Sequence, residues 1–145
     1  MSLLNEEGKA LNRKLLLRHE GLELKPYHCT AGKITIGVGR NLADVGVSEA
    51  EAMMLLDNDI KEAEGQLLQH LPWVAKLEQH QKIALVNMAF NLGVRGLLKF
   101  KKMLAALQDD DINRVEAEMR DSRWARQVGR RAEEVISLMR GELDV

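Results

Sequence analysis

From Glu78 to Leu92 the chain is apolar around most of a helical circumference. Ile83, Ala84, Leu85, Val86, Met88, Ala89 and Phe90 fall in one run that stops at Gly93. A helix with that pattern has little solvent face of its own and is stable as the enclosed centre of a bundle. Other helices must therefore surround it. Two prolines, Pro26 and Pro72, leave long stretches where no ring removes a helical hydrogen bond. The aromatic residues are only Tyr27, Trp73, Phe90, Phe100 and Trp124 among 145, so the core falls to Leu, Ile, Val, Met and Ala. That length is one domain, long enough to bury a real core.

The surrounding helices have legible ends. Asn5 is an N-cap for a first helix through Leu11, Leu15 and Leu16 that closes at Gly21, the glycine position past a helix end. The texture then changes to KPYHCTAGKITIGVGR, with a turn at Ala31-Gly32 and β-branched alternation at Ile34, Ile36 and Val38. This predicts a hairpin or three-stranded sheet. Ser48-Glu49-Ala50-Glu51 is a capping box opening a long helix to about Leu71, which Pro72 ends. Further helices are expected over Leu97–Leu107, Ile112–Arg120, Ser122–Gln127 and Arg130–Arg140. Met53 and Met54 read as core packing. The fold class is α+β: a first helix and small β lobe over 1–47, a connecting helix over 48–71 and a helical lobe over 72–145.

Several function classes fall away. With 21 basic and 22 acidic residues the net charge is −1, which gives no whole-chain attraction to nucleic acid or a membrane surface. Cys29 is the single cysteine, so no internal disulfide or multi-cysteine zinc site exists. His19, His28, His70 and His80 lack zinc-ligand spacing, and no metal or other cofactor is expected. No apolar run approaches a membrane span, so no stable membrane association is expected. The acidic start, MSLLNEEGKALNRKLLL, is unlike a signal peptide. Lys99, Lys101 and Lys102 read as a solvated face.

Chemistry is expected where the first helix gives way to the hairpin. Glu20 lies in the last turn, where the negative end of the helix dipole disfavours its ionisation; a carboxyl kept protonated is what a general acid needs. Cys29 follows nine residues later and Thr35 six after that. Set in HEGLELKPYHCTAGKITIGVGRNL, this spacing resembles the catalytic segment of phage-type lysozymes, the muramidase endolysins of T-even and related bacteriophages. Their pattern is Glu, eight residues, Asp, five residues, Thr. Glu20, Tyr27, Gly32, Thr35, Ile36, Gly37 and Gly39 fall in register with it. NMAFNLG at Asn87–Gly93 and SRWARQVGRRAEEVI at Ser122–Ile136 are similar to the family's central helix and carboxy-terminal segment.

The resemblance implies hydrolysis of the β-1,4 bond from N-acetylmuramic acid to N-acetylglucosamine in peptidoglycan. Glu20 is then the proton donor, Thr35 helps to hold a water, and Cys29 stands where the family has Asp. Asn41 and Phe90 match sugar-contact positions, although the family residue at 41 is usually apolar, and Arg131 is a supporting residue near Glu20. The implied partner is the glycan strand of peptidoglycan, met by a monomer. The protein is expected to wait in the host cytoplasm until a holin-type membrane lesion releases it. Two other readings stay open. One is a weakened homologue that binds cell wall without cutting it. The other is a helical DNA-binding protein using the five arginines between Arg120 and Arg131.

Overall fold

The computed structural model describes residues 2–142. It is α+β, as expected. The order is α1 (Glu6–Glu20), β1 (Glu23–His28), β2 (Ile34–Gly37), β3 (Arg40–Asn41), α2 (Glu49–His70), a 3-10 turn (Pro72–Lys76), α3 (Gln79–Leu92), α4 (Val94–Leu98), α5 (Lys101–Gln108), α6 (Ile112–Arg120), α7 (Arg123–Val128) and α8 (Arg130–Met139). The chain forms two compact units, Met1–Met53 and Met54–Val145, and the division falls inside α2.

In the first unit, Asn5 caps α1 by accepting the Gly8 N–H at 2.8 Å. Gly21 closes the helix at φ 76°, its N–H on the Leu17 carbonyl at 3.0 Å. The strands form an antiparallel sheet in the order β1-β2-β3. Tyr27 pairs with Thr35 and His28 with Ile34; Thr35 also pairs with Asn41 on the other side. The β1–β2 register shifts between Glu23 and Tyr27, the stretch that contains Pro26. A proline cannot donate to a ladder and is tolerated at an edge strand or bulge, and β1 offers both.

A second brace was not read from the sequence. The Ser48 capping box forms, with Ser48 N–H on Glu51 Oε1 at 2.8 Å and Glu51 N–H on Ser48 Oγ at 3.1 Å. The same Glu51 carboxylate takes a two-pronged contact from Arg40, both distances 2.8 Å, and Arg40 also donates to the Gly46 carbonyl. Strand β3, the following loop and the start of α2 thus meet at one carboxylate. The Arg40 guanidinium, then the Ser48 N–H and hydroxyl, hold the Glu51 carboxyl down at about 2.

The second unit is a helical bundle on α3. Ala84, Leu85, Met88 and Ala89 are buried together with Leu97, Met103, Met119, Ile136 and Met139 from the surrounding helices. Asp111 caps α6 through the Arg114 N–H, and Ser122 caps α7 through the Ala125 N–H.

Three expectations need correction. Helix α3 is central but not enclosed all round, since Ile83 and Phe90 are 46% and 45% exposed. Met53 and Met54 are not core residues; both are exposed. The helix expected over Leu97–Leu107 breaks at Lys99 and Phe100, where Phe100 N–H turns back to the Leu97 carbonyl at 3.0 Å. The break sets the Phe100 ring edge-on to Trp124, centroids 6.3 Å apart; this contact overrides the local helical pattern. The strand expected from the β-branched alternation forms as β2, in which Thr35 is buried and Ile34 exposed.

Candidate active site

Glu20, Cys29, Thr35 and Asn41 all belong to the first unit. Glu20 is the last residue of α1, and its side chain is exposed. Its carboxyl lies on the turn that joins β2 to β3: a Cβ added at Gly39 would sit 3.0 Å from Glu20 Oε2 and 3.4 Å from its Cδ. Gly39 also has φ +73°, a conformation that L side chains resist. The backbone conformation thus favours glycine at position 39, and any larger residue there would also press on the Glu20 carboxyl. Gly37, at φ +70° with open space around it, answers to the backbone turn alone, and only Gly39 also faces the acid.

Cys29 opens the β1–β2 hairpin loop. Its N–H donates to the Lys33 carbonyl at 2.9 Å, and its carbonyl accepts the Gly32 N–H at 2.8 Å. Gly32 has φ +78°. This is the three-residue hairpin loop with a left-handed glycine, and the Ala31-Gly32 dipeptide had announced it. The half-buried thiol is held below the ordinary thiol range, chiefly by the Lys33 backbone N–H and next by that of Ala31. Burial opposes them, and the Thr35 hydroxyl adds to the lowering. Backbone amides turned toward one side chain stabilise an anion there, whether it is a thiolate or the carboxylate of the family pattern. The amides are invisible in a sequence, although the turn that aims them is not.

Thr35 is 3% exposed in the middle strand. Its hydroxyl donates to the Lys33 carbonyl at 2.9 Å. A hydroxyl has one proton and two lone pairs, so that proton serves either the carbonyl or the Cys29 sulfur. While it is on the carbonyl, the lone pairs are left to accept from a water. Asn41 is half-buried, and its amide closes the next turn: Oδ1 accepts the Asp44 N–H at 3.1 Å and Nδ2 donates to Asp44 Oδ2 at 3.0 Å. An Asn followed three residues later by Asp is the signal that could have shown this role.

Phe90 and Arg131 belong to the second unit. Phe90 stands exposed on α3. Arg131, at the start of α8, donates to Asn87 Oδ1 from Nε at 3.3 Å and from its terminal nitrogen at 3.0 Å. Asn91, one turn on from Asn87, accepts the Trp124 indole N–H at 2.9 Å. Both asparagines of the NMAFNLG segment thus tie α3 to the carboxy-terminal helices, a role that its apolar pattern hid. Among the described residues no group of three or more His, Cys, Asp or Glu side chains is arranged to hold a metal ion. Nor is any helix long and apolar enough to cross a membrane.

Known proteins share this arrangement of sequence. The chain is 30% identical to the pre-baseplate central spike protein Gp5 of Enterobacteria phage T4, over 87% of this chain but 27% of that protein. It therefore spans about a quarter of that relative. It is 27% identical to "Probable T4-type lysozyme 1" of Dictyostelium discoideum, over 88% of this chain and 92% of that one. To an endolysin of Acyrthosiphon pisum secondary endosymbiont phage 1 it is 34% identical, over 55% and 56%. The phage lysozyme family model matches residues 17–140, a span that takes in the end of α1 with Glu20, the hairpin with Cys29 and Thr35, and the helical bundle. The chain belongs to the phage lysozyme family.

Proposed function

We propose that the chain is an endolysin-type glycoside hydrolase that cleaves the β-1,4 bond between N-acetylmuramic acid and N-acetylglucosamine in peptidoglycan. The observation that carries this reading is the meeting of Glu20 with the Gly39 turn, in the same small unit as the hairpin that holds Cys29 and Thr35, within the span matched by the family. An exposed carboxyl at a helix end reaches a glycosidic oxygen in a way that a buried one does not. Glu20 gives its proton to the leaving oxygen as the carbon–oxygen bond breaks. A water oxygen bonds to the anomeric carbon, through an oxocarbenium-like transition state.

Cys29, as thiolate, takes the proton that this water gives up, and the Thr35 lone pairs orient the water. Solvent then returns a proton to Glu20 and removes one from Cys29. The lowered thiol pKa supports the role, because the thiolate is the basic form and its share at neutral pH rises as the pKa falls. Asn41 contacts the sugar through the amide N–H that Asp44 leaves over, and Phe90 offers it an apolar ring. Arg131 supports the site by bracing Asn87. Both units act as one catalytic domain and as a monomer, needing no metal or cofactor. The glycan strand is reached when a holin-type lesion opens the inner membrane.

The test is the clearing of chloroform-treated Gram-negative cells by the purified chain. Clearing supports the hydrolase. Adsorption to the walls without clearing would identify a weakened wall-binding homologue, and salt-dependent binding to duplex DNA without clearing a nucleic-acid protein. For release, expression in an intact Gram-negative host is expected to be tolerated, with prompt lysis on permeabilising the inner membrane. Spontaneous lysis that depends on the host secretion machinery contradicts that route.

A further inference from the structure

We infer that the helical unit carries a second glycan-binding site, built on Trp73 and Asp110, which holds peptidoglycan without taking part in its cleavage. The inference rests on the lysozyme reading for the identity of its ligand. The site is a groove of about 390 Å³ between the 3-10 turn, the start of α3 and the α5–α6 junction, lined by Trp73, Lys76, Glu78, Gln81, Gln108 and Asp110. That volume is in the range of small-ligand sites.

Its chemistry is that of a sugar rather than of an ion. A pyranose ring has an apolar C–H face and a rim of hydroxyls that both donate and accept. The half-buried Trp73 indole supplies an apolar plane with a polar edge. Gln108, Asp110 and Lys76 are exposed around it, bringing amide, carboxylate and ammonium groups that match a hydroxyl rim. Glu78 and Asp110 against the single Lys76 leave the groove slightly acidic, which disfavours a nucleic acid, whereas sugar hydroxyls can donate to the carboxylates and accept from the ammonium.

The backbone at Asp110 points the same way. Among the described residues it is the one non-glycine with positive φ, at 55°, whereas eight glycines occupy the others. It closes α5, its N–H on the Leu107 carbonyl at 3.1 Å and the next N–H, of Asp111, on the Ala106 carbonyl at 2.9 Å. That is the helix end at which glycine is the unstrained choice. Aspartate is one of the few non-glycine residues that enters this region, and here it brings to the groove a side chain that glycine would lack.

The experiment uses the full chain with Trp73→Ala and, separately, Asp110→Gly. Asp110→Gly removes the carboxylate while relieving the backbone, so it keeps or raises the melting temperature and no folding defect confuses the result. Retention on insoluble sacculi is measured in a Glu20→Gln background, and hydrolysis is measured on sacculi and on a short soluble tetrasaccharide. Each variant is expected to lose about tenfold in retention, or ~1.4 kcal/mol, with sacculus hydrolysis falling alongside and tetrasaccharide hydrolysis unchanged. Unchanged retention by the folded Asp110→Gly protein overturns the site, as does an equal fall on the soluble substrate. Failure of the unsubstituted chain to cut either substrate refutes the lysozyme reading instead, and retention still decides whether the groove binds glycan.

Discussion

Every buried apolar residue of the core lies between Ala63 and Met139, whereas Thr35 alone is buried among the described residues up to Met53. The helical unit coheres by burying Leu, Met, Val, Ile and Ala, the term that dominates most folds. The small unit is shaped by directed contacts: the Asn5 and Ser48 caps, the hairpin loop at Cys29, and Arg40 on Glu51. Directed contacts set angles and distances but add little net stability each. The proposed reaction is thus housed in the region where geometry is well defined and packing is thin. Low local stability of this kind is common in elements that handle ligands.

The sharpest way to break this comparison is at Glu20. Glu20→Gln keeps the shape of an exposed side chain and removes the transferable proton. Lysis is expected to fall by at least about 10²-fold, the low end for general acid catalysis, with the melting temperature unmoved. Near-normal lysis by the folded variant would sink the assignment of the acid.

The converse experiment touches stability without chemistry. Leu85→Ala, at a site with no exposure, is expected to cost about 2–5 kcal/mol in urea unfolding. Leu16→Ala on α1, where the side chain is 44% exposed, is expected to stay within about 0.5 kcal/mol. Equal costs at the two sites would mean that α1 is packed as tightly as the bundle, and the contrast would fail.

Cys29 sharpens the comparison within the small unit. Cys29→Asp places a carboxylate, reference pKa near 3.9, before the same Lys33 and Ala31 amides, and is expected to match or exceed the parent. Cys29→Ser is expected to lose roughly tenfold, less than a full general base contributes, because Thr35 still positions the water. A base acts deprotonated, so activity is lost as pH falls through the lowered thiol pKa. The acidic limb of the pH–rate profile should move further down in Cys29→Asp. Full activity after complete alkylation of Cys29 would remove it from the mechanism.

The smallest effect concerns Glu51. Its carboxyl is held at about 2 in the fold, below its unfolded reference near 4.3. The pair with Arg40 therefore stabilises fully above the unfolded value, and that contribution is lost as pH falls toward about 2. Glu51→Gln should lower the melting temperature slightly at pH 7 and not at pH 2. A constant difference across that range would show that the shape of the side chain, not its charge, is what counts.

The parts that were legible in the sequence follow the same division. Helix ends announced themselves through Asn5, Gly21, Ser48, Glu51, Pro72 and Gly93, because caps and breakers act over a few residues. The turn at Ala31-Gly32 did so too, and with it the position of residue 29 at the mouth of a hairpin. What could not be read depends on contacts distant in sequence. Arg40 meets Glu51 eleven residues away; Phe100 breaks a helical pattern to meet Trp124. Met53 and Met54, apolar and adjacent, gave no sign of which side of α2 would stay open. The backbone amides at the Cys29 thiol belong to no side chain at all, so only their turn was visible.

The central claim, that Glu20 drives hydrolysis of one particular glycosidic bond, is tested most directly by the products. Purified sacculi would be digested with the parent chain and with Glu20→Gln, and the soluble fragments analysed by mass spectrometry after borohydride reduction. Fragments with a reducible N-acetylmuramic acid end are expected from the parent, and at least about 10²-fold fewer from Glu20→Gln. Reducible N-acetylglucosamine ends, cut peptides with intact glycans, or equal yields from the two proteins would contradict it.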